Sequence, residues 1–306
     1  MTISIISHPD CALHEMGPHH PESPARLSAI QDQLLSCGLD FVLQHHDAPL
    51  ASREQLCRVH DADYVDGIFF NAPEEGLLWL DQDTCMNRYS LSAALHAAGA
   101  MVLGVDLVMS EQTTAAFCNI RPPGHHAEHN KAMGFCIFNN IAVGAAHALQ
   151  AHQLKRVAIV DFDVHHGNGT EDIFRDVDEI LFCSSFQHPF YPYTGSNVES
   201  KHIINVPLPA GTDGQAFRAA VKTGWLPELE AFQPELILIS AGFDAHIEDD
   251  MAGLCLVEQD FAWVTQEIKN IADKYAKGRI VSTLEGGYAL SALGRSVAAH
   301  INALLG

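Results

Sequence analysis

Apolar residues gather along the chain in short runs, and between the runs they recur three and four positions apart. Eight runs read as strands, at 2–7, 41–46, 113–118, 157–161, 180–185, 202–206, 235–241 and 279–284. Helical patterns fill most of the intervals. The first, 24–37, has Pro24 at its start and Gly38 just past its end, the usual asymmetry of a helix. The others lie at 88–109 (long and Ala-rich), 139–152 (amphipathic), 213–231, 258–276 and 288–304. No linker, repeat or low-complexity stretch interrupts them, so the pattern predicts one domain, 1–306. Strands alternating with helices predict an α/β fold whose mostly parallel sheet is covered on both faces, either open or closed into a barrel. The stretch 186–201, rich in Pro, Gly and aromatic residues and without a helical pattern, breaks strict alternation and favours the open sheet.

The run Val157–Val160 delivers Asp161, Asp163 and His165 at alternate positions, which point the same way in extended chain. Gly167 and Gly169 then turn the backbone away, so this polar group sits at the carboxyl end of a strand, where open α/β sheets bind ligands. So many charged and imidazole groups together are costly to desolvate unless a cation binds them. Three more polar motifs also follow apolar runs: RPPGHH with His125 and His126, the segment ending in Asp244, and Glu285-Gly286-Gly287-Tyr288. In a parallel sheet all four land on one rim.

Asp163, His165 and Asp244 form a ligand set for Zn²⁺ or Fe²⁺ that leaves room for water, as catalytic sites require; Asp244 as a helix cap is the bland alternative. His125 and His126, on backbone stiffened by two prolines, suit a general base and its neighbour. Asp161 and Asn168 could each accept a hydrogen bond from one of these imidazoles. Tyr288 offers a phenol to a developing oxyanion, or simply packs on its Gly-Gly turn. Phe135, Phe190 and Tyr191 read as core or as an aromatic slot, and the pairs His19/His20 and His45/His46 as solvent-facing or loop residues.

Charge narrows the partners. Lys plus Arg number 17 against 38 for Asp plus Glu, a formal charge of −21, which disfavours nucleic acid and anionic membranes and favours a cationic substrate. The eight scattered cysteines have no paired spacing and suggest a reducing, cytoplasmic setting. No run reads as a signal peptide or as a membrane helix. The oligomeric state stays open, a homo-oligomer included.

RPPGHHA, DFDVHHGNGT, SAGFDAH, EGGY and the early HHPESPARL together resemble the zinc-dependent histone deacetylase superfamily, in its class II-like branch with bacterial deacetylases and acetylpolyamine amidohydrolases. The likeness runs from about residue 8 to residue 300. It implies the arginase-deacetylase α/β fold, with an eight-stranded parallel sheet, and removal of an acyl group, most simply acetyl, from acetyl-lysine or a related small amine. It places the zinc ligands on Asp163, His165 and Asp244, the general base and acid on His126 beside His125, and the oxyanion tyrosine on Tyr288. It sets Asp161 behind His125, and Asn168 at a position that is Asn in class II-like members. Gly134, Phe135, Tyr191, Met251 and Gly287 become substrate-binding, and a structural K⁺ is implied around Asp161, Asp163, His165 and Ser184.

Two departures, Phe186 within Ser184-Ser185-Phe186-Gln187 and Tyr193 within Pro192-Tyr193-Thr194-Gly195, are expected to alter one tunnel wall. An arginase-like ureohydrolase would want another carboxylate two residues past Asp244, where His246 stands; a silent binder would lack Tyr288 or His126. Acetylpolyamine enzymes carry a glutamate where this chain has Met251; Glu15, Glu22 and Asp83 are the candidates to stand in for it on the rim.

Overall fold

The structure, a computed structural model, describes residues 2–196 and 200–306. Along the chain run β1 (Ile3–Ser7), α1 (Ala25–Ser36), β2 (Leu43–Asp47), α2 (Arg53–Leu56), α3 (Ala62–Phe70), β3 (Leu78–Trp79), β4 (Cys85–Met86), α4 (Ser90–Met109) and β5 (Ala115–Cys118). Then come α5 (Asn140–Ala151), β6 (Val157–Asp161), α6 (Asn168–Phe174), β7 (Ile180–Gln187), β8 (Ile203–Leu208), α7 (Gly214–Gly224), α8 (Leu226–Phe232), β9 (Leu236–Ala241), α9 (Glu258–Tyr275), β10 (Ile280–Leu284) and α10 (Leu290–Leu305).

Eight strands form one open sheet in the order β2, β1, β5, β10, β9, β6, β7, β8, and every neighbouring pair is parallel. All eight predicted strands are in it, and the barrel alternative is excluded. Consecutive strand residues feed opposite cores. Val157, Ile159, Leu236 and Leu238 face one cluster, with α4 and α5. Ala158, Val160, Ile237 and Ile239 face the other, with α1, α9 and α10. A strand buried on both sides needs apolar residues at every position, which is why these strands read as unbroken runs.

The chain passes from β5 to β6 across a gap that β10 and β9 later fill. The carboxyl ends of β5, β10, β9 and β6 therefore stand side by side, and these four strands deliver the four polar motifs to one stretch of rim. A crevice made this way is where open α/β sheets bind ligands.

Three expectations change. The helix expected over 213–231 is two, α7 and α8, broken at Trp225 with Pro227 in the first turn of the second; proline has no N–H to donate back into a preceding turn. The loop expected from Phe186 begins only after Gln187, because β7 pairs with β8 through that residue, and its positions 197–199 lie outside the described residues. Contrary to the sequence reading, α4 is long and apolar enough by composition to cross a membrane, but 78% of its apolar window is buried inside the protein, as befits a core helix against the sheet.

Candidate active site

Asp163, His165 and Asp244 converge at the rim, their ligand atoms within 4.8 Å of one another and all three side chains buried. His165 Nδ1 lies 3.0 Å from Asp163 Oδ1 and 3.2 Å from Asp244 Oδ2. Backbone N–H groups hold the carboxylates: Gly286 donates to Asp163 Oδ2 (2.8 Å) and Val164 to Asp244 Oδ1 (3.0 Å). No helix starts at Asp244, so the capping alternative falls. A Cβ on Gly286 would sit 1.9 Å from Asp244 Oδ2, so only glycine lets the β10 turn approach this closely.

Asp244 Oδ2 is buried with no well-aligned hydrogen bond, its 3.2 Å approach to His165 Nδ1 being a charge contact without hydrogen-bond geometry. Burial and then the Asp163 charge push the Asp244 carboxyl up to about 6. Asp163 opposes the burial effect through His125 and His165 and is held below the usual carboxylate range. Two buried carboxylates with oxygens within 4.8 Å of each other, one of them poorly satisfied, fit a divalent cation held by two oxygens and one imidazole nitrogen. His246 stands apart from this set, its ring stacked on Phe261 and its Nε2 3.6 Å from Glu258, so among the described residues the set stays at three and does not extend in the arginase manner.

The two histidines differ in their partners. His125 Nδ1 bonds Asp161 Oδ2 at 2.9 Å, and its Nε2 lies 3.8 Å from Asp163 Oδ2. Burial lowers its pKa, but Asp161 and Asp163 outweigh that and lift it to about 10. His126 Nδ1 bonds the amide oxygen of Asn168 at 2.7 Å. Burial and then the neighbouring His125 hold it far below the usual imidazole value, so it presents a neutral, proton-accepting ring. Asn168 also donates to Glu128 Oε1 (2.8 Å), which fixes its amide orientation. Glu285, without an assigned role in the sequence, accepts N–H from Gly124 (2.7 Å) and His125 (3.2 Å) and the Ser240 hydroxyl (3.0 Å), so it sets the RPPGHH backbone.

Tyr288 is anchored by its backbone and ring. Asp249 Oδ2 accepts N–H from Tyr288 (2.6 Å) and Ala289 (2.9 Å), while Oδ1 accepts that of Met251 (3.1 Å), so one buried carboxylate ties the tyrosine to a wall residue. Arg26 donates to the carbonyls of Gly287 (2.6 Å) and Glu285, with its guanidinium carbon 5.0 Å from the Tyr288 ring centroid. Glu22 holds Arg26 (3.1 Å) and Arg121, whose Nη2 is 2.6 Å from Glu22 Oε2. Glu22 is therefore buried, not on the rim. The local sign of this network is the spacing of Glu22 and Arg26, four residues apart across the start of α1.

Burial would raise the Glu22 carboxyl, but Arg121 and then Arg26 bring it down from 4.5 to about 2. By linkage that difference is worth about 3 kcal/mol above pH 4.5 and fades as pH falls toward 2. Glu22→Gln, which leaves two buried guanidinium groups without a counter-charge, is expected to cost about 3–5 kcal/mol at pH 7. Denaturant unfolding from pH 7 to pH 3 should show the gap to the wild type narrowing as pH falls; a gap that widens contradicts the pairing.

Above the ligand set a cavity of about 220 Å³ opens, walled by Gly134, Phe135, Phe190, Tyr191, Met251 and Tyr288, with His125, His126, His165 and Gly286 also lining it. Phe190 stacks over His165 (5.5 Å, 22°) and Tyr191 meets His126 edge-on (5.4 Å). Gly134 (φ 57°) lies under His126, where a Cβ would come within 2.4 Å of the ring. His20 meets Phe135 edge-on at 4.6 Å, so it touches the cavity wall, whereas His19 is exposed.

Gly286 lines the cavity in place of Gly287, whose carbonyl turns to Arg26. Neither departure from the family pattern reaches the cavity. Phe186 is buried behind it, 4.6 Å from the His166 ring, and Tyr193 is 75% exposed. Of the acidic residues considered for the rim, Asp83 does line the cavity, accepting N–H from Gly134 (3.1 Å) and the Thr84 hydroxyl (2.9 Å). Ser184 Oγ, on β7 opposite Asp161, is buried without a hydrogen-bond partner.

The histone deacetylase domain profile matches residues 20–304. Histone deacetylase 14, chloroplastic, of Arabidopsis thaliana is 37% identical over 317 residues, spanning 96% of this chain and 75% of that protein. A histone deacetylase-like amidohydrolase of Pseudomonas aeruginosa is 36% identical over 302 residues, spanning 91% and 79%. The crystal structure of the HDA15 HD domain superposes with a TM-score of 0.92 at 33% identity, covering 99% of this chain and 88% of that one.

Proposed function

The chain belongs to the histone deacetylase family, and on that premise we propose that it is a zinc-dependent amidohydrolase that removes acetyl from acetyl-lysine or a related small acylated amine. The observation that carries this reading is the floor of the cavity, where three cation ligands, a neutral imidazole and a phenol meet beneath a narrow aromatic slot.

Asp163, His165 and Asp244 would hold Zn²⁺, or Fe²⁺, which the same ligand types suit. When bound, such an ion supplies Lewis acidity toward water and an amide carbonyl. His126 accepts the proton of the attacking water at Nε2, since its Nδ1 is committed to Asn168. It then returns that proton to the leaving amine, so the product departs as a neutral amine. Tyr288 donates its hydroxyl to the oxyanion of the tetrahedral intermediate, and burial keeps the phenol protonated for the task. His125 stays in the Asp161 hydrogen bond, which fixes its ring beside that of His126. Phe135 and Tyr191 flank an aliphatic stem and exclude water from it.

Ser184 Oγ, free of other partners beside Asp161, supports the structural K⁺ around Asp161, Asp163 and His165. The eight unpaired cysteines support a reducing compartment, the cytoplasm.

Met251 bears on substrate choice. A carboxylate there, about 5 Å from a substrate ammonium, would be worth roughly 3 kcal/mol at an effective dielectric near 20 and about 1–2 after solvent screening. Asp83, the acidic residue that does line the cavity, is held at Oδ1 by Gly134 and Thr84, which fixes it in the wall beside Gly134 and not at the Met251 position. Acetyl-lysine peptides are therefore expected to be hydrolysed at least as well as acetylspermidine or acetylputrescine. Met251→Glu should move the kcat/KM ratio toward the polyamines by about tenfold. A preference above about tenfold for acetylpolyamines in the unmodified protein overturns the lysine assignment.

A further inference from the structure

Besides the catalytic set, two groups of side chains among the described residues bring ligand atoms within 4.8 Å of one another: His8 with Asp10 and His96, and Asp106 with His147 and His152. The first cannot close on an ion as it stands. The His8 and His96 rings are stacked 3.4 Å apart at 11°, and a metal binds an imidazole nitrogen in the ring plane, so two nearly parallel planes share no such position.

The second group has the opposite geometry. Its two rings lie 81° apart with centroids separated by 5.5 Å. Both Nε2 atoms already aim at one oxygen, Asp106 Oδ1, at 2.8 Å from His147 and 2.7 Å from His152. The carboxylate is 49% exposed and the imidazoles 10% and 25%, which leaves a solvent side open for further ligands. Asp106 sits near the end of α4, His147 near the end of α5 and His152 just past it. Those helices run back from the rim toward the starts of β5 and β6, so this cluster lies at the edge of the sheet opposite the catalytic rim.

We propose that Asp106, His147 and His152 form a second divalent-cation site, of the zinc class, that fastens the end of α4 to the end of α5. Two imidazoles and one carboxylate are the donors such ions take, with water completing the shell. On binding, each imidazole exchanges its Nε2–H···O bond for an Nε2–metal bond, and the neutral ring keeps its one proton on Nδ1. For His152, whose hydrogen bond is made through Nε2, no partner holds Nδ1 among the described residues. For His147, Nδ1 lies 3.4 Å from Arg58 Nη1, so the guanidinium must withdraw toward Glu54, which Arg58 Nη2 already contacts at 3.0 Å. Arg58 therefore works against the ion.

The test is equilibrium dialysis of the full chain against micromolar Zn²⁺, with metal content and acetyl-lysine turnover measured on the same samples. The wild type should hold about two zinc ions per chain, and His152→Gln and Asp106→Asn about one, with turnover retained in both. Arg58→Gln, which keeps every ligand, should lower the zinc concentration that half-fills the second site by roughly fivefold. About one ion in the wild type and in both variants, about two in all three, or an unchanged half-filling concentration in Arg58→Gln overturns the proposal. A failure of the catalytic reading looks different: about one ion in the wild type and about none in the variants, without turnover in any.

Discussion

Tyr288→Phe is expected to lower kcat by roughly 10²–10³, the loss typical of one oxyanion donor, with a smaller change in KM. The asymmetry follows from where the hydroxyl acts. The residue is fixed by its backbone N–H to Asp249 and by the Arg26 guanidinium over its ring, and neither contact uses the phenol oxygen. Removing that oxygen leaves the loop, the cavity wall and the acyl-amine slot in place, so ground-state binding barely changes while the tetrahedral oxyanion loses a donor. Steady-state kinetics on one acetyl-lysine peptide separates the two constants. Near wild-type turnover would strip Tyr288 of its role, and a rise confined to KM would make it a substrate contact only.

The second large effect is expected at His126. His126→Ala should lower kcat by roughly 10²–10⁴, the range that a positioned acid–base group contributes. Its ring faces the cavity beside His165 (5.8 Å between centroids) and is oriented from behind by Asn168 at 2.7 Å. Asn168→Ala removes the orienting acceptor but not the base, so it should cost less and act on kcat rather than KM. Equal losses in the two variants would mean that orientation, not proton transfer, dominates. Little loss in His126→Ala would move the base elsewhere.

Much of this arrangement was legible in the chain because the sheet is parallel and buried on both faces. Each apolar run had to be a strand, each strand had to end at the same rim, and the polar residues just past Cys118, Asp161, Ala241 and Leu284 had to meet. The order β5, β10, β9, β6 gives that inference its geometry, since the four delivering strands are adjacent. The supporting groups were hidden because their partners are far away in sequence. Asp249 reaches Tyr288 across 39 positions, Glu22 reaches Arg121 across 99, and Glu285 reaches Gly124 across 161. No local pattern marks such pairs.

Short elements were missed for another reason. The four residues of α2 are too few to show a period, and the nine of α3 end in Phe69 and Phe70, which break the apolar stripe by facing outward. The family pattern also misled over Gly287, whose place in the cavity Gly286 takes, and over Phe186 and Tyr193 as residues that shape the tunnel. Phe186 lies behind the wall and Tyr193 in solvent.

Amide hydrolysis in this cavity is expected to require a cation held by Asp163, His165 and Asp244. Purified protein is stripped with a chelator, assayed on an acetyl-lysine peptide, and titrated with Zn²⁺, Co²⁺ or Mn²⁺ while metal content is followed. Activity should vanish on stripping and return with about one equivalent of Zn²⁺ or Co²⁺ at the catalytic site, and Asp244→Asn should not recover it. Full activity in stripped protein, or recovery that needs about two Mn²⁺ per chain and ignores zinc, would contradict the account.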